Sequence, residues 1–73
     1  MSKNWSLAYT TTLEYRAQMI KDLLEDNDIK VAIINKKDSA YVLLGEIEIY
    51  VSHEKLIIAK HLIKSLLENE KSN

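Results

Sequence analysis

The run Glu46-Ile47-Glu48-Ile49-Tyr50-Val51 alternates polar and β-branched residues with a period of two. It predicts a strand with Ile47, Ile49 and Val51 on one face and Glu46, Glu48 and Tyr50 on the other. A strand with one wet face does not belong in a parallel sheet covered on both sides. It calls for a sheet packed on one side only, and the rest of the chain has to supply the layer that covers it.

Two amphipathic helices can do so. Leu13, Ala17, Ile20, Leu23 and Leu24 recur at intervals of three and four, which places them in one stripe along a helix over about residues 12–26. Thr11 followed by Glu14 is the pattern of a capping box at its start, and Asp26-Asn27-Asp28 supplies turn-forming residues at its end. The second stripe comprises Leu56, Ala59, Leu62, Ile63, Leu66 and Leu67, in a helix expected to begin at His53 with Ser52 as its cap. The polar residues from Glu68 to Asn73 are expected to fray.

Two further strands are expected. Trp5, Leu7 and Tyr9 alternate with Ser6, Ala8 and Thr10, a pattern that puts Trp5 in the core beneath the helices with Leu7 and Tyr9. Ile29 to Asn35 holds the β-branched run Val31-Ala32-Ile33-Ile34. Asn35-Lys36-Lys37-Asp38-Ser39 reads as a loop, and Ala40 to Leu44 leads into Gly45, the only glycine, read as a bulge or sharp bend.

The order strand, helix, strand, strand, helix predicts a single α+β domain over residues 1–73, a two-layer βαββα sandwich with both helices on one face. A right-handed crossover makes the first two strands parallel with a gap that the third fills, giving the order 1-3-2. This is a ferredoxin-like arrangement truncated before its last strand. The edge from Trp5 to Thr10 is thereby left open, a template for pairing that proteins seldom leave bare. Together with the open sheet face it defines a candidate interface of Trp5, Ala8, Thr10, Ala32, Ile34, Glu48 and Tyr50.

Composition narrows the function classes. A chain of 73 residues without cysteine has no disulfide to support a small core, so packing and association must do so. Ten basic against eleven acidic residues give a net charge of −1, too little field to gather nucleic acid or anionic lipid. No apolar run has the length of a signal peptide core or of a membrane span. The expected setting is the cytoplasm of a prokaryote.

The polar residues assemble no catalytic constellation. His53 and His61 lie two helical turns apart, a separation of ~12 Å, too far to share one metal ion. Glu46 and Glu48 share a strand face but have no pocket to separate their proton affinities. Asn35, Lys36, Lys37 and Ser39 form a candidate ligand loop without the glycine-rich cradle of a phosphate site. The chain is expected to be no enzyme, to need no cofactor, and to act as a regulatory or protein-interaction module, with self-association the simplest form. The alternative is a small-metabolite sensor binding near the 35–39 loop.

With its elements placed, the chain resembles a family of small bacterial domains labelled "putative prokaryotic signal-transducing proteins". The resemblance rests on Trp5, Thr10-Thr11, Ala17 with Ile20, Leu23 and Leu24, Ile29, Asn35 to Ser39, Gly45, Glu46 to Val51, and Ala59. It implies a fold like that of the PII nitrogen-regulatory proteins, although this chain has no long nucleotide-binding loop of the PII kind. Where the family commonly has a glycine before Ile29, this chain has Asp28.

Overall fold

The half-buried strand is the middle of the sheet. In the computed structural model, which describes residues 4–36 and 46–71, the chain forms β1 (Trp5–Thr11), α1 (Glu14–Asp26), β2 (Val31–Asn35) and β3 (Ile47–Ser52). A 3-10 turn at His53–Lys55 then leads into α2 (Leu56–Lys71). The sheet order is β1-β3-β2, with β3 antiparallel to both neighbours. This is the expected truncated ferredoxin-like α+β fold. The readings made for Lys37, Ser39, Ala40 to Leu44 and Gly45 lie outside the described residues.

One core holds the layers together. Ile47, Ile49 and Val51 of β3 are buried with Ala17, Ile20 and Leu24 of α1 and Ala59 and Ile63 of α2 in a single cluster. Both helices therefore cover the same sheet face. Ile20, Leu24, Ile49 and Val51 are the largest fully buried side chains, each worth about 1.5–3 kcal/mol of transfer free energy.

The first strand departs from simple alternation. Leu7 opposes Tyr50 and the next paired residue, Tyr9, opposes Ile49, so Ala8 is the extra residue of a β-bulge. Residues directly opposite one another share a face. Trp5 and Leu7 thus lie with Ser52 and Tyr50 on the open face, and Ser6 and Tyr9 lie with Val51 and Ile49 on the helix face. Two expectations are corrected. Trp5 and Leu7 do not sit beneath the helices with Tyr9, and Ala8, expected on the open face, is buried in the core. A period of two survives only while each residue has one partner, and one inserted residue inverts the phase of everything before it.

The helix ends differ from expectation in instructive ways. Thr11 Oγ1 accepts a hydrogen bond from the Leu13 amide at 3.1 Å, as expected of its hydroxyl, but α1 begins later, at Glu14, after an extended Leu13 with no side-chain cap. Ser52 makes no side-chain cap either, and the first turn after it is 3-10. At the far end α2 continues as helix through Lys71 rather than fraying from Glu68. Arg16 Nη2 donates to Glu70 Oε1 at 3.0 Å across the two helices, anchoring that last turn to α1.

The C-terminus of α1 closes with a Schellman motif. The Ile29 amide donates to the Leu24 carbonyl and the Asp28 amide to the Glu25 carbonyl, both at 3.0 Å. Ile29 therefore precedes β2 instead of opening it, and its buried side chain joins Leu24 in the core. The motif needs a left-handed residue, and Asp28 takes that conformation at φ 62°. An L-residue other than glycine is disfavoured there, aspartate less than most.

Two stability measurements follow from this packing. Asp28→Gly should raise the unfolding free energy in urea by about 0.5–1 kcal/mol, because relief of the left-handed strain exceeds the added entropy of the unfolded chain. Leu24→Ala should lower it by about 2–5 kcal/mol, since Leu24 is fully buried where α1, its terminal motif and the sheet meet.

Candidate functional site

The open sheet face is built from three cross-strand rows. Thr10 and Ile34 flank Glu48, Leu7 and Ala32 flank Tyr50, and Trp5 lies beside Ser52. Trp5, Leu7 and Ile34 leave 40%, 42% and 49% of their surface exposed, so large apolar groups from both edge strands bracket the half-buried Glu48 and Tyr50. The face brings together Trp5, Thr10, Ala32, Ile34, Glu48 and Tyr50 of the expected interface. It rejects Ala8, which the bulge turns into the core, and adds Leu7.

Lys36, Glu48 and Tyr50 satisfy one another on this face. Lys36 Nζ lies 3.1 Å from Glu48 Oε2, and the Tyr50 hydroxyl donates to Glu48 Oε1 at 2.9 Å. The Lys36 amide donates to the Glu46 carbonyl at 2.9 Å, carrying the β2 to β3 ladder one residue beyond the strand and aiming the Lys36 side chain across the sheet. Hydrogen bonds from Lys36 and then from Tyr50 hold the Glu48 carboxyl below its ordinary pKa. The hydrogen bond to Glu48 is likewise the largest reason that Lys36 and Tyr50 titrate above their ordinary values.

That network changes the meaning of the candidate ligand loop. Lys36 is engaged by Glu48, Asn35 opposes Ile47 at the end of β2, and Lys37 and Ser39 lie outside the described residues. Of the two glutamates read as a possible pair, Glu48 is held by its neighbours on the sheet, and Glu46 is exposed beside the start of β3.

The structure also joins two residues that sequence spacing does not connect. Ser6 Oγ lies 2.8 Å from His53 Nδ1, next to the bond from the His53 amide to the Asn4 carbonyl at 2.7 Å. A serine beside a histidine suggests a nucleophile and its base, but that chemistry also needs a group orienting the imidazole and donors for an oxyanion. Among the described residues no carboxylate hydrogen-bonds to His53, and the pair is exposed. It fastens the start of β1 to the turn before α2. Among the described residues no group of three or more metal-ligating side chains is gathered, and no helix is long and apolar enough to cross a membrane.

The titration of Glu48 gives a pH test. A carboxyl whose pKa is lowered on folding contributes stability above its unfolded value, near 4.5, and loses that contribution as pH falls through the folded value. The stability difference between wild type and Glu48→Gln should therefore be constant near neutrality and close as pH drops below 4.5. It should close again in alkali, as Lys36 and Tyr50, whose folded pKa values are raised, lose their protons. Urea titrations of both proteins across this range check the outcome; a difference independent of pH contradicts the network.

Comparison with curated proteins and with solved structures gave no significant match. A family model does match, over residues 5–67, and so spans the fold from Trp5 in β1 to Leu67 in α2. The chain belongs to the family described as "Putative prokaryotic signal transducing protein".

Proposed function

We propose that this chain is a non-catalytic cytoplasmic regulatory module that acts by protein contact through the open face of its sheet, and that the partner on that face is a second copy of itself. The observation that carries the reading is the exposure of Trp5, Leu7 and Ile34 around Ala32 and Tyr50 on one side of the sheet. Among the described residues no helix covers that side. A two-layer fold buries one face of its sheet and leaves the other to water or to a partner, and large apolar side chains on that face favour a partner.

Charge favours a like partner. Lys36 and Glu48 neutralise each other within the face, so two copies related by a twofold axis bring no uncompensated charge of one sign together at that point. The tyrosine and tryptophan add large contact area at low entropic cost. The signalling description of the family supports a regulatory role, and among the described residues no carboxylate hydrogen-bonds to His53 beside Ser6.

Sedimentation equilibrium tests the reading. Wild type should approach dimer mass in the micromolar range. Leu7→Lys and Ile34→Lys, each changing an exposed side chain, should weaken association by about 2 kcal/mol or more, roughly thirtyfold, with unfolding free energy changed by no more than ~0.5 kcal/mol. A wild-type monomer at every concentration, or variants that dimerise as wild type does, overturns it.

A further inference from the structure

A second surface, separate from the open face, lies on the other side of β1. Between β1 and α2 runs a groove of about 400 Å³, lined by Ala8 and Tyr9 from the strand and by Lys60, Ile63, Lys64, Leu67 and Glu68 from the helix. Ile63 is buried and Leu67 half-buried, whereas Lys60 and Lys64 are exposed. The helix therefore presents an apolar inner wall and a rim on which two lysines outnumber the one glutamate.

The position of this groove is that of a strand the fold lacks. In a complete ferredoxin-like sheet a fourth strand pairs with the outer edge of the first, under the second helix. Here β1 has β3 as its one strand neighbour among the described residues, and side chains of α2 line the groove beside it. We propose that this groove accepts an extended acidic segment of a partner protein, added as a strand to the edge of β1.

Each part of that description has its own support. An extended peptide fits because an edge strand offers backbone donors and acceptors that an alkyl chain or a small anion cannot use in sequence. A short segment fits because the bulge at Ala8 divides the edge and limits continuous pairing. An aliphatic side chain on its helix-facing side would meet Ile63 and Leu67. Acidic character follows from Lys60 and Lys64, which rise ~6 Å apart along the helix and are in no ion pair among the described residues. A second copy is a poor occupant. Its edge strands, Trp5–Thr11 and Val31–Asn35, contain no carboxylate to bring to the lysines.

The probe is a capped, fluorescently labelled peptide Thr-Glu-Thr-Val-Thr-Glu-Thr, whose Glu and Val side chains share one face of a strand and whose threonines favour extension. Anisotropy should show saturable binding, equal for wild type and for Ile34→Lys, so that self-association of the sheet face has no bearing on the result. The double variant K60E/K64E should bind at least about fivefold more weakly at low salt, the scale of two exposed ion pairs, and the Gln-for-Glu peptide should lose affinity to the same degree. Hydrogen exchange should slow at β1 amides on binding, and a peptide N-methylated along one edge, with its carboxylates intact, should fail. Absence of binding to wild type, equal binding of the Gln peptide, or undiminished binding of the N-methylated peptide overturns the proposal.

Discussion

Everything in this fold depends on β3 burying one of its faces and leaving the other open. Ile47, Ile49 and Val51 meet both helices in one cluster, while Glu48 and Tyr50 stay on the far side with the rows contributed by β1 and β2. A central strand that is apolar on one side only permits one covering layer. That constraint sets the helices on a common face and exposes a three-stranded surface on the opposite side.

The bulge at Ala8 is the device that gives this surface its character. Without it, Trp5 and Leu7 would share the helix face with Tyr9, and the open face would carry little more than small and polar groups from β1. With it, two large apolar side chains cross to the open face and alanine fills the space beneath α2. The same residue breaks the regularity of the outer edge, which discourages indiscriminate strand pairing. One inserted residue thus shapes both the face and the edge.

Much of the fold is legible in the residues because burial enforces periodicity. The alternation around Ile49 and the stripes through Leu24 and Ile63 each satisfy one period and one face, and strand order follows from connection geometry. What could not be read is what depends on register. No local pattern marks Ala8 as an extra residue, since Ser6-Leu7-Ala8-Tyr9 alternates equally well with or without a bulge. The contact of Lys36 with Glu48 needs the pairing of two strands whose connection is long, and that of Ser6 with His53 joins opposite ends of the sheet's chain path. Asp28 is an intermediate case: Asp26-Asn27-Asp28 signals a turn that tolerates a left-handed backbone, and the structure supplies the motif that demands it at Asp28.

If the open face is a contact surface, backbone and methyl NMR spectra recorded across a dilution series will report it. Signals of Leu7, Ala32, Ile34 and Tyr50 should shift with concentration, with the exposed side of α1 unchanged. Spectra that do not vary with concentration, or shifts confined to the helical layer, would contradict it.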